Sequence, residues 1–92
     1  MTNRKLKAVV FEVVDNQLRD LNPPETKQTY DRLLSLGYSK TEARKLIAIV
    51  VAAEVFHVMT RKELFHHSRF VAALNRLPDV EARDMSSLQE EN

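Results

Sequence analysis

Cysteine is absent from this 92-residue chain, and glycine occurs once, as Gly37. Without cysteine there are no disulfides, thiolate zinc sites or thiol nucleophiles, a pattern that fits a reducing cytoplasm. One glycine cannot build the G-x-G-x-x-G or Walker phosphate loops, which need several close together. It also argues against hairpin-rich β folds, whose tight turns lean on glycine. Charge of one sign is lacking too. Fourteen Lys+Arg against 13 Asp+Glu leave a net charge of +1, so no bulk field draws the chain to nucleic acid or an anionic membrane. No apolar run reaches the ~18–20 residues of a membrane span. Arg4, Lys5 and Lys7 precede an apolar stretch in the manner of a signal peptide, but that stretch carries Glu12 and Asp15 and lacks a small-residue cleavage site. The expectation is a single cytoplasmic domain with no membrane partner, since domains usually run to about 100–150 residues.

What is present reads as helices. Leu6, Val9, Val10, Val13, Val14 and Leu18 recur at spacings of three, four and seven. That period outweighs the weak helix propensity of the valines and predicts a first helix over about residues 4–20. Asn22-Pro23-Pro24-Glu25 reads as a stop and a start, with proline tolerated in the first turn, Asn22 as cap and Glu25 near the positive helix end. Tyr30, Leu33 and Leu34 supply the stripe of the second helix, and Gly37 stands where a C-terminal residue with positive φ is wanted. Ser39-Lys40-Thr41-Glu42 has capping-box spacing, and predicts a third helix from Lys40 to about Met59. Thr60-Arg61-Lys62-Glu63 repeats the box, opening a fourth helix or forming a turn before one that begins near Ser68. Phe65, Phe70, Val71, Leu74 and Leu77 give that helix its stripe, and Pro78 ends it. The domain is expected over residues 1–78. Asp79, Glu81, Asp84, Glu90 and Glu91 make residues 79–92 read as a disordered acidic tail. No internal repeat is visible. The fold class expected is all-α, a small antiparallel bundle of three main helices and a shorter fourth.

The third helix is unusual. From Leu46 to Met59 only Glu54 and His57 interrupt an apolar run. At about 100° per residue the polar arc of Lys40, Arg44, Glu54, His57 and Arg61 also contains Ile47, Val50, Val51 and Val58. A helix apolar all round is normally buried all round, and three short helices in a small chain have little surface with which to wrap it. Apolar groups left wet cost about 25 cal/mol per Å². The reading that follows is a two-fold homodimer with Ile47, Val50, Val51, Glu54 and Val58 at the interface. A monomer with this helix at the bundle centre is the alternative.

Few constellations could carry chemistry. Glu54 and His57 stand at i, i+3, the Glu-x-x-His spacing of di-iron bundles, but one chain supplies a single pair where such sites use two. A metal site would need a second chain, or Asp15 or Glu12 from the first helix. The simpler reading is a hydrogen-bonded or ion-paired couple. His66 and His67 diverge by about 100° on a helix, and with Arg61, Lys62 and Arg69 make a modest basic cluster. That cluster is either a solvated turn or a weak contact for phosphate in DNA or RNA. Glu12 and Asp15 share a face, read as solvated carboxylates beside Arg19 rather than an acid/base pair. No nucleophile signature occurs, so no catalytic residues, enzyme activity or cofactor are expected. The aromatic residues Phe11, Tyr30, Tyr38, Phe56, Phe65 and Phe70 fall mostly on core stripes, which argues against a base-stacking platform.

Two resemblances follow from these residues. Leu36-Gly37-Tyr38-Ser39, Glu42-Ala43 and Leu46-Ile47 resemble the first turn and second helix of ubiquitin-associated-type three-helix domains, over about a dozen residues of glycine C-cap and capping box. More broadly, Asp15-Asn16-Gln17-Leu18, Pro23-Pro24-Glu25-Thr26, Arg32-Leu33, Gly37, Glu42-Ala43, Leu46-Ile47, Glu54 and Leu74 to Leu77-Pro78 are similar to a small uncharacterised bacterial all-helical family. That likeness covers most of residues 6–78 and implies a helical layout. Relatives of that family carry histidines at the positions of Phe11, Thr41 and Lys45, beside acids matching Asp15 and Glu42, an arrangement suggestive of metal. All three positions are non-ligands here. The functional expectation is therefore a cytoplasmic helical protein-interaction module that self-associates through its third helix, with another protein as a further partner. Metal binding and weak nucleic-acid binding stand as alternatives.

Overall fold

The computed structural model describes residues 4–62 and 64–80. Within them the chain is a small all-α bundle of α1 (Arg4–Asp20), α2 (Pro24–Ser35), α3 (Lys40–Arg61) and α4 (His67–Arg76). Residues 81–92, on which most of the expected acidic tail falls, lie outside the described residues.

The helix ends follow from local chemistry. At the end of α2, Tyr38 N–H donates to the Leu33 carbonyl at 3.1 Å and Gly37 N–H to Leu34 at 3.0 Å, the two bonds of a Schellman motif. Gly37 takes φ +103° there. Ser39 Oγ accepts from Glu42 N–H at 3.0 Å, while Ser39 N–H donates to the Glu42 carboxylate at 2.9 Å. This is the capping box the spacing predicts. Asn22 does not cap α2: the N-cap is Pro23, in extended backbone, with no side-chain cap bond. Asn22 instead donates its N–H to Gln17 at 3.2 Å and so closes the end of α1. The Thr60 box opens no helix either. Thr60 Oγ1 donates to the Phe56 carbonyl at 2.8 Å, its residue still inside α3, and Lys62 ends that helix in the left-handed region at φ 56°. Of the two expected outcomes a helix opening at Thr60 is not the one found: α4 starts at His67.

The core answers the question raised by the apolar third helix. α3 packs against α1, α2 and α4, and Ala43 and every residue from Ile47 to Ala52 are buried within the single chain. Val10 and Val14 from α1, Leu33 from α2, and Phe70, Leu74 and Leu77 from α4 and its C-terminal end complete the cluster. Ala43, Ala48 and Ala52 lower the volume that must be covered, so helix backbones can approach closely. The three other helices do jacket the middle of α3. On α2 the innermost positions are Thr26, Thr29 and Leu33, with Tyr30 and Leu34 only partly covered. Thr26 is tolerated there because its hydroxyl donates to the Gln17 side chain at 2.8 Å, which offsets the cost of burying it.

The expected dimer interface therefore needs correction. Ile47, Val50, Val51 and Glu54 are covered by their own subunit and Val58 is half-buried. They are not a free surface. Further along the chain four large apolar residues stay wet close together: Phe56 is 63% exposed, Met59 67%, Leu64 90% and Phe65 51%.

Candidate functional site

The end of α3 and the start of α4 carry the polar chemistry of the core. Glu54, 6% exposed, is the acid that breaks the apolar run of α3. Arg69, in the first turn of α4, donates Nε to Glu54 Oε1 at 2.9 Å and Nη2 to Oε2 at 2.7 Å. His66 N–H adds a third bond to Oε2 at 3.1 Å. An unpaired buried carboxylate would be strongly disfavoured, and three charge-assisted donors remove that penalty. The Arg69 hydrogen bonds, with help from His66, outweigh burial and hold the Glu54 carboxyl below its ordinary value of 4.5.

The two histidines of the expected basic cluster have separate tasks. His66 is the N-cap of α4, its Nδ1 accepting from Arg69 N–H at 3.2 Å. That geometry places the imidazole proton on Nε2. His67 Nε2 stands 3.7 Å from Glu25 of α2. Arg69 turns inward to Glu54, and only Arg61 and Lys62 remain as exposed cations of the set. The five residues do not form one outward phosphate-binding face.

The metal reading fares similarly. Both Glu54 oxygens are taken by donors, and among the described residues no group of three His, Asp or Glu could hold an ion. Asp15 is spent on Arg44, which grips it from α3 at 2.7 and 2.9 Å while its guanidinium lies 4.4 Å over the Phe11 ring. That contact holds the Asp15 carboxyl below its usual 3.8. Arg19 pairs with its neighbour Asp20 at 2.9 Å, not with Glu12 or Asp15. Glu42 is spent on the capping box.

Beside the Glu54–Arg69 pair lies a cleft of about 480 Å³, lined chiefly by Ile49, Val50 and His57 from α3 and by Ala73 and Arg76 from α4. His57 Nδ1 is buried and has no hydrogen-bond partner among the described residues. The sequence reading missed Arg69 as the partner of Glu54 and missed this cleft. The signal was present: Arg69 sits one residue before Phe70 and four before Ala73, on the border of the α4 apolar stripe, while Glu54 is the single acid within the apolar run Leu46–Met59 of α3. Of the aromatic residues, Phe70 lies in the core and Phe11, Tyr30 and Tyr38 pack against it, whereas Phe56 lies in solvent and Phe65 is half out. Phe65 leans on the buried Phe70, ring centroids 5.4 Å apart at 56°, a tilted arrangement aromatic pairs favour.

Among the described residues no helix is long and apolar enough to cross a membrane. No family model matches the chain, and neither a curated protein nor a solved structure shows significant similarity to it.

Proposed function

We propose that this chain is a cytoplasmic helical protein-interaction module, acting by binding rather than catalysis, and that it docks an acidic amphipathic segment of a partner protein. The observation that carries the reading is the exposure of Phe56, Met59, Leu64 and Phe65 within ten residues of chain, at the end of α3 and in the connection to α4. Small domains rarely leave several large apolar groups wet in one stretch without a partner, and aromatic anchors are the usual energetic centre of an interface. The same stretch exposes Arg61 and Lys62, so charge complementarity favours a segment that pairs apolar anchors at helical spacing with acidic flanks. A second copy of the chain would bring those like charges together, and the middle of α3, which the self-association reading relied on, is already covered.

The test uses the full chain with a synthetic helical peptide bearing Leu and Phe at i, i+3 and i+7 with glutamates between them, a lysine counterpart of that peptide, and vesicles of anionic lipid. The acidic peptide should bind and shift the NMR signals of residues 56–65. Binding should weaken as salt rises, and Phe56→Ser and Met59→Ser, both at exposed positions, should remove it without unfolding the protein. A dimer in light scattering that Phe56→Ser dissolves would replace the proposal with self-association. Preference for the lysine peptide or for the vesicles, or binding to none of the three, would overturn it.

A further inference from the structure

We propose that the cleft between α3 and α4 is a binding site for a small monoanionic organic acid, its apolar body against the helices and its carboxylate on Arg76. The inference is independent of the docking surface above, which lies further along α3. At about 480 Å³ the cleft falls within the ~300–1,000 Å³ of small-ligand sites. Ile49, Val50, Ala53, Ala73 and Val80 give it apolar walls, and two alanines among them leave room where larger side chains would fill it.

The charges around it sort into spent and available. Glu54 and Arg69 saturate each other through two short bonds and supply a fixed, neutralised wall. Arg76, exposed at the end of α4, makes no ion pair with another described residue. Its five guanidinium N–H donors match a carboxylate bidentately. His57 lines the same cleft, and its buried Nδ1 has no hydrogen-bond partner among the described residues. Asp79 also lines it. Among the described residues that line the cleft, one cation without an ion pair, Arg76, and one acid, Asp79, suit a single negative charge better than two, so a monocarboxylate fits better than a phosphate.

Titration of the full chain with hexanoate, hexanol and inorganic phosphate, followed by amide and imidazole NMR shifts, tests this. Hexanoate should move signals of Ala53, His57, Ala73 and Arg76, with hexanol about tenfold weaker, the size expected for losing one charge-assisted contact. Arg76→Gln, at an exposed position, should weaken hexanoate by about tenfold and leave hexanol unchanged, with the unfolding midpoint unmoved. Equal binding of hexanoate and hexanol would overturn the proposal. So would tighter binding of phosphate, hexanoate binding indifferent to Arg76→Gln, or no shift with any probe.

Discussion

Arg69 on α4 closes two donors on the two carboxylate oxygens of Glu54 on α3, at 2.9 and 2.7 Å, while its own backbone N–H is held by His66. One residue thus ties the helix start, the helix–helix contact and the buried acid together. Glu54→Ala should destabilise the protein by about 3 kcal/mol, because removing one member of a buried pair strands the other. Replacing both, Glu54→Leu with Arg69→Leu, should recover most of that loss. Urea unfolding of the two single variants and the double variant measures the coupling. A Glu54→Ala midpoint close to that of the parent would show that the pair contributes little.

The same pair sets a pH dependence. Arg69 keeps the folded Glu54 carboxyl below 4.5, its ordinary value. A depressed folded value means that the unfolded chain binds the proton first. The stabilisation is therefore complete above pH 4.5 and is lost as pH falls through the lower folded value. Asp15, held below 3.8 by Arg44, acts in the same direction but lies at a half-exposed site where solvent screens much of its effect. Urea midpoints from about pH 6 to about pH 3 should fall steeply for the parent and more gently for Glu54→Gln. Parallel curves would mean that other carboxylates govern acid unfolding.

Among the described residues three hold the left-handed backbone conformation, and only one is glycine: Gly37 at φ 103°, Leu21 at 55° and Lys62 at 56°. A side chain costs about 1–2 kcal/mol in that region. The sign of substitution should reverse between them. Gly37→Ala should destabilise by about 1 kcal/mol, wholly through the backbone, since a Cβ there meets nothing within 4 Å. Leu21→Gly should stabilise by about 0.5 kcal/mol, the relief of strain exceeding the added freedom of the unfolded chain. Leu21 is 56% exposed, so little burial is forfeited. Thermal unfolding of the two variants is sufficient, and loss of stability in Leu21→Gly would contradict the argument.

Helix limits were legible in the sequence because they depend on neighbours. Ser39 with Glu42, Gly37 and the prolines at 23, 24 and 78 act over one turn of chain. Burial of α3 was not, because whether a helix is wrapped depends on the volume its partners supply. The periodicity of Leu46–Met59 is equally compatible with a neighbour from the same chain or from another. The alanines at 43, 48 and 52 tip the balance, and their effect is visible only once α1, α2 and α4 are placed. The candidate sites divide in the same way. Glu54 stood out as a lone acid in an apolar run, whereas its partner, 15 residues away, was grouped with cations that point elsewhere. His66 carries no cap signature of the Ser, Thr, Asp or Asn kind, so its role in α4 follows from geometry alone.

The end of α4 rests on a residue of α2. Arg32 donates Nη1 to the Leu77 carbonyl at 2.8 Å and Nη2 to the Leu74 carbonyl at 3.0 Å, satisfying acceptors that a helix C-terminus leaves open and placing a cation at its negative end. The contact is partly buried, so water replaces it poorly. Arg32→Met keeps the apolar stem of the side chain and deletes the donors. It should cost about 2 kcal/mol, the range for hydrogen bonds from a charged group. Because the bonds act on the last turn of α4, the loss should be local before it is global. Amide exchange in the last turn of α4 should quicken well before that of Ile47–Ala52. Uniform acceleration across all four helices would instead show that the bundle opens as one unit and that Arg32 is no separate fastening for α4.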